Sequence, residues 1–157
     1  MLNIGTRNAA GGYDATGIDY HLMGEGFESI EENLNPTTDE VTYVNDRTAT
    51  KSVTGYAPEW SFSGDVIKDS EVVTFLRNKA KTNASGIDAE AELVLYDVWS
   101  VVANEVAAVK YECAIAMDSA GTMVGGEKLT FSGTIMAKGD PIPGTFNTST
   151  SAFTATV

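Results

Sequence analysis

The feature that most constrains this chain is a period of two. From Val106 to Met117, the residues Val109, Tyr111, Cys113, Ile115 and Met117 fall on one face, and Ala108, Lys110, Glu112, Ala114 and Ala116 on the other. Successive side chains of an extended strand point to opposite faces, so the alternation predicts a long strand with one buried face. The pattern recurs in 55–64, where Tyr56, Pro58, Trp60 and Phe62 oppose Ala57, Glu59, Ser61 and Ser63. It recurs in 129–138, where Leu129, Phe131 and Ile135 oppose Thr130, Ser132 and Thr134. Pro58 has no amide hydrogen to give to a ladder, which predicts a sheet edge or a bulge there. Residues 91–102 read as another long strand, joined to 106–117 through Ala103-Asn104-Glu105. Thr38 to Asn45 reads as a strand rich in β-branched residues, followed by a polar loop to Lys51.

One segment has the helical period. Between Asp69 and Thr82, Val72, Phe75, Leu76 and Ala80 form a stripe. Asp69 or Ser70 can cap it, Glu71 sits in the first turn, and Arg77, Lys79 and Lys81 sit in the last, where the helix dipole favours each charge. These bases predict an outward, solvated helix face. His21 to Asn35 reads as a kinked strand: the helical spacing of Phe27, Ile30 and Leu34 is opposed by Gly24, Gly26 and Asn35-Pro36. Gly121 and Gly125-Gly126 predict a loop. Gly139-Asp140-Pro141 and Pro143-Gly144 predict turns, and 145–157 a last strand or an arm. Residues 1–20, rich in Gly, Ala, Asn and Thr, read as an N-terminal arm before a single domain at 21–157. The whole is a mainly β (α+β) fold, a sandwich or barrel with one flanking helix, and 157 residues suit one such domain.

The residues that carry chemistry are few. One cysteine, Cys113, and one histidine, His21, supply neither a zinc site nor a nucleophile with its base. Cys113 lies in the apolar alternation and reads as a small buried hydrophobe. No calcium loop, phosphate loop or Gly-x-Ser-x-Gly elbow occurs, so no metal, cofactor or catalytic residue is assigned and no enzyme is expected. No apolar run reaches signal-peptide or membrane-span length, which predicts a protein made in a cytoplasm with no membrane partner.

Charge is unevenly placed. Ten bases against 22 acids give −12. Between Arg7 and Arg47 there is no Lys or Arg, while Asp14, Asp19, Glu25, Glu28, Glu31, Glu32, Asp39, Glu40 and Asp46 accumulate. Such a surface does not bind nucleic acid, which requires clustered Lys and Arg. It serves either plain solvation or a surface that must not hold a polyanion.

Three stretches taken together carry a resemblance: Gly24-Glu-Gly-Phe-Glu-Ser-Ile, Tyr43-Val-Asn-Asp, and Val53-Thr-Gly-Tyr-Ala-Pro-Glu-Trp-Ser-Phe-Ser-Gly. With the capped helix, Gly139-Asp-Pro and Gly144-Thr-Phe-Asn-Thr, residues 20–157 resemble the major tail tube proteins of long-tailed (siphovirus-type) bacteriophages of Gram-positive bacteria. The resemblance implies a structural virion protein that stacks as hexameric rings into a tube through which DNA passes without specific binding. It implies tail tip or baseplate, tape measure and tail terminator proteins as partners, and assembly in the host cytoplasm. On that reading the acids Glu25, Glu28, Glu31, Glu32, Glu90, Glu92 and Glu112 are candidates to line the lumen. The strands at 91–102 and 106–117 are candidates to continue between subunits. Asn45, Asp46, Tyr56 and Pro58 are candidates for a subunit or ring interface, whereas Trp60 and Phe62 are expected in the core. Two alternatives are a tube subunit of a contractile tail or phage-derived bacteriocin, and a β-sandwich carbohydrate-binding or adhesion domain with Trp60, Trp99 and tyrosines as its platform.

Overall fold

The structure, a computed structural model, describes residues 2–6, 19–44, 47–100 and 102–156. Its strands are β1 (Leu2–Thr6), β2 (Asp19–Leu22), β3 (Phe27–Asn33), β4 (Thr37–Val41), β5 (Thr50–Gly55), β6 (Glu59–Asp65), β7 (Glu90–Tyr96), β8 (Glu105–Thr122), β9 (Thr130–Ala137), β10 (Ile142–Asn147) and β11 (Ala152–Ala155); helix α1 (Glu71–Lys81) lies between β6 and β7. Nine strands form one antiparallel sheet, and β4 with β5 forms a separate hairpin.

The sheet is organised by the 18 residues of β8. One edge of β8 pairs with β7, from Ala108↔Tyr96 to Ala114↔Glu90. The other edge pairs first with β10, from Glu105↔Asn147 to Lys110↔Ile142, and then with β9, from Cys113↔Ala137 to Thr122↔Thr130. The sheet therefore divides at β8 into two wings. One wing runs β8-β9-β6-β3; the other holds β2, β1 and β7 on one side of β8 and β10 and β11 on the other.

The two wings curl toward each other. In the order β2-β1-β7-β8-β9-β6-β3, the first and last strands would lie about 29 Å apart in a flat sheet, at about 4.8 Å per step. Yet β2 and β3 are joined by Met23–Gly26 alone, and the five peptide steps from Leu22 to Phe27 span at most about 18 Å. The edges must approach, and the register shows how. Leu22 lies level with Lys110 through Asn3 and Val94, whereas Phe27 lies level with the end of β8 through Gly64 and Phe131. A stagger of roughly ten residues between the edges tilts the strands of a curled sheet that stays open, since among the described residues β2 and β3 do not pair.

Inside the curl sits the main core. Ile4 and Leu93 from one wing meet Trp60, Phe62, Phe131 and Ile135 from the other, with Cys113 and Ile115 from β8 between them. Helix α1 adds Val72, Val73 and Leu76. Its N-terminus is capped by Ser70, whose Oγ accepts from the Val73 amide at 3.4 Å. Of the three bases expected on an outward, solvated face, Lys81 is exposed, whereas Arg77 and Lys79 are half-buried because their chains reach back to the fold: Arg77 Nε donates to the Ala120 carbonyl at 2.8 Å, and the Lys79 ammonium lies 4.7 Å from the Phe75 ring centroid. A second, smaller cluster lies on the opposite face of the β7 wing: Tyr20, Val94, Val106, Ala108 and Phe146. Burial along β8 thus changes face, from Val106 and Ala108 at its start to Cys113 and Ile115 further on.

Several expectations need correction. Leu2–Thr6 is not part of an arm. It pairs with both β2 and β7, and Ile4 is fully buried; five residues with two apolar side chains were too short to show a period. Residues 7–18 lie outside the described residues. Pro58 marks neither an edge nor a bulge, because β6 starts after it and is flanked by β3 and β9; its carbonyl accepts from the Ala137 amide at 3.0 Å. Pro143-Gly144 is not a turn but lies within β10, where the Pro143 carbonyl accepts from the Thr156 amide at 2.9 Å. A Cβ on Gly144 would stand 2.4 Å from Cζ of Phe153, so the glycine lets that ring lie over the strand. The strand expected at 91–102 ends at Tyr96. Neither β7 nor the paired length of β8 offers an edge to another subunit, since both edges are taken; among the described residues the outer edges belong to β2, β3 and β11.

Close approach of backbones where β3 begins beside β6 gives a test. A Cβ on Gly64 would lie 1.9 Å from the Gly26 carbonyl oxygen. Gly64→Ala is expected to destabilise the protein by about 1–3 kcal/mol through forced backbone displacement, seen as a lower urea midpoint.

Candidate functional site: a sheet face and a projecting hairpin

The β8-β9-β6-β3 wing has an outer face whose composition follows from register. Asn33, Glu59, Met136 and Ala114 form one row across it; Glu31, Ser61, Thr134 and Ala116 form the next. Ser29, Ser63, Ser132 and Ser119 form the third, and Asp65, Thr130 and Thr122 the last. The Oγ atoms of Ser29 and Ser63 are 3.0 Å apart, which confirms that these side chains share the face. Every core-facing residue of the same strands alternates with them. The face is therefore short, hydroxyl-rich and acidic, with no Lys, Arg or aromatic residue in its rows. Two lysines border it and both are paired, Lys128 with Asp65 and Lys138 with Glu90. Its hydrogen bond to Asp65, and the charge of that carboxylate, raise the pKa of Lys128.

The candidate acids are not brought to one place. Glu31 lies on this face, and Glu90 lies at its margin with Lys138. Glu28 is exposed at the bulge that shifts β3 between Phe27 and Ser29. Glu25 is exposed in the Met23–Gly26 connection. Glu32 is on the core side of β3, where its Oε1 accepts from Trp60 Nε1 at 3.1 Å. Glu112 is exposed on β8, opposite Glu92. Glu92 itself is buried: the Tyr20 hydroxyl donates to its Oε2, and Lys110 Nζ lies 3.1 Å from its Oε1. Tyr20 and Glu92 are the cross-strand partners of Gly5, over which they meet. Burial first, then the hydrogen bond and charge of Glu92, push the Tyr20 pKa up. Glu59 and Asp65, which the sequence reading passed over, join Glu31 on the hydroxyl face. The signal was present in the polar halves of the alternating strands, Glu59-Ser61-Ser63 and Thr130-Ser132-Thr134.

The β4–β5 hairpin leaves the curled sheet where β3 ends and β6 begins. All of β4, and β5 up to Thr54, is exposed. Val41, Tyr43, Val44, Val53 and Tyr56 present apolar surface there. Tyr56 stands at the hairpin neck and Pro58 is half-buried beside it; the Leu34 carbonyl accepts from the Ala57 amide at 3.1 Å to close that neck. Asn45 and Asp46 lie outside the described residues.

Neither His21 nor Cys113 lies in the rows of this face. Among the described residues no cluster of three His, Cys, Asp or Glu side chains could hold a metal. His21 pairs with Glu71 at 2.9 Å beside an open cleft along α1. Trp60, in the core, cannot join a glycan platform. Burial, helped by Glu92 and Glu112, pushes the Cys113 thiol up to about 12.

No family profile matches the chain, and no curated protein matches it. Solved structures do. A chain in the helically refined, C6-symmetric tail of an empty gene transfer agent (GTA) particle aligns with a TM-score of 0.59 at 14% identity, over 98% of this chain and 96% of that one. A chain in the virion of a native GTA particle aligns with a TM-score of 0.54 at 14% identity, over 98% and 95%. A chain in the sheath/tube terminator of an extracellular contractile injection system, PVC, in the extended state, aligns at 0.45 and 10% identity, over 90% and 91%.

Two measurements check this geometry. Tyr20→Phe removes a hydrogen bond to a buried carboxylate and is expected to cost about 1.5–3 kcal/mol, read as a lower thermal midpoint at neutral pH. Cys113 is expected to stay unreactive to a disulfide-forming thiol reagent at pH 8 in the native protein and to react fully in urea. Over nearly its whole length, then, this chain has the fold of a chain from a gene transfer agent tail.

Proposed function

We propose that this protein is a structural subunit of a phage-type tail tube, working by self-assembly and without catalysis. The observation that carries the reading is the hydroxyl-rich, base-free outer face of β8-β9-β6-β3, which we assign to the lumen. A wall for a moving polyanion must offer it no anchor. Short Ser and Thr side chains give a smooth surface, Glu31, Glu59 and Asp65 repel phosphate, and the bordering lysines are already held by carboxylates. Repulsion acts over about 8 Å at physiological salt, so acids set among hydroxyls cover the rows between them.

The C6 symmetry of the GTA tail of similar fold supports six copies per ring. The free edge of β3 bounds the proposed wall and is where a neighbouring copy would continue it; assembly also removes the hazard of an exposed edge. The β4–β5 hairpin, with Tyr43, Val44 and Tyr56, is the proposed contact between subunits, because an isolated hairpin is marginal in water until something covers it. The sequence resemblance points further, to long-tailed phages of Gram-positive bacteria, assembly in a host cytoplasm, and tail tip, tape measure and terminator proteins as partners.

Purified protein at rising concentration is expected to give six-fold rings and stacked tubes in negative stain. Ser61→Lys with Thr134→Lys is expected to give tubes that keep DNA protected from nuclease, where wild-type tubes release it. That retention should fall steeply with salt, by about 0.9 in log K per log salt for each phosphate neutralised. Equal release from both tubes would contradict the assignment of the face.

A further inference from the structure

We infer that the loop between β7 and β8, with Trp99 exposed on it, is a stacking contact that seats on a second copy of this chain in the adjacent ring. The inference rests on the tube reading above and adds to it a residue and a condition for stacking. The two tryptophans have opposite environments: Trp60 is 1% exposed and Trp99 is 94% exposed. Val98 and Val102 are exposed beside Trp99.

The loop is held by hydrogen bonds at both ends, and the Asn104 carbonyl accepts from the Thr148 amide at 2.8 Å. The Trp99 amide donates to Asp97 Oδ1 at 3.0 Å, and the Ser100 amide and hydroxyl donate to the Asp97 carbonyl at 3.1 and 2.9 Å. Val102 and Glu105 exchange both backbone hydrogen bonds at 2.9 Å. An indole is thus presented on an ordered loop while touching no part of its own core, and ordering costs little when a partner covers it. Large aromatics on ordered positions are what carries binding energy at interfaces.

Charge and area favour a second copy in a stacked ring. Copies at −12 repel one another, so contact between them must bury neutral surface, and residues 98–104 contain no charged side chain. The loop leaves β8 at the end toward which β3 also finishes, the end that bears the hairpin. If the wall strands run obliquely to the tube axis, that end points out of the ring plane, toward the next ring. One tryptophan buries about 150–250 Å², so with two valines the loop covers less than about 500 Å², well short of the roughly 1,200–2,000 Å² of a stable pair. Six loops across one ring-to-ring contact reach that range. Single subunits therefore do not hold each other by this loop, whereas rings do, and stacking waits for ring closure.

The test uses the full chain. Acrylamide quenching is expected to reach one of the two tryptophans in the monomer and neither in tubes, and Trp99→Phe should abolish the quenchable fraction. Trp99→Ala, whose fold is checked by circular dichroism, is expected to form six-fold rings but to need at least about tenfold more protein for tubes. Tubes of Trp99→Ala at the wild-type concentration, or a Trp99 as quenchable in tubes as in monomers, would overturn the stacking contact alone. Loss of rings in Trp99→Ala would place the contact within the ring and overturn the axial assignment. Wild-type protein that never forms rings would overturn the tube reading itself.

Discussion

Everything in this fold depends on one strand being long enough to belong to both wings of the sheet. β8 runs 18 residues, and its partners change along it, from β10 to β9 on one edge, with β7 on the other. A strand of about six residues could hold only one wing. The length lets the wings curl over a shared core, and the change of buried face along β8 puts Val106 and Ala108 in one cluster and Cys113 and Ile115 in the other. Once β8 is in place, the short Met23–Gly26 connection forces the far edges together, and Gly64 lets the end of that connection pass close over β6 as β3 begins.

The same alternation that fills the core leaves an outer face to be composed freely. On the β8-β9-β6-β3 wing it is composed of hydroxyls and a few acids; on the β7 wing it carries Tyr20, Val94 and Phe146 around the buried Glu92. The net charge of −12 then acts differently in each place. On the proposed wall it repels; the proposed contacts between copies need neutral surface, and residues 98–104 carry no charged side chain.

Strands, helix and core were legible in the residues, because a period of two and a capped helical stripe report local geometry directly. Trp60 and Phe62 are in the core for that reason. Pairing was not legible. The five residues of β1 carry too little pattern to distinguish a strand from an arm, and only their ladders with β2 and β7 reveal it. The candidate acids do not share one face, because a bulge between Phe27 and Ser29 resets the parity of β3, sending Glu31 outward and Glu32 toward Trp60. Glu92 is buried by Tyr20 and Lys110, partners distant in sequence that no local pattern announces. The hydroxyl face was visible as the polar half of each strand, but only register joins those halves into one surface.

The most direct test of the central claim is a helical reconstruction of assembled tubes by electron cryo-microscopy. The account predicts that the row Ser29, Ser63, Ser132 and Ser119 faces the lumen in every subunit, with Glu31 and Glu59 beside it. A map in which that row lies on the outer wall, or is buried between subunits, would contradict it.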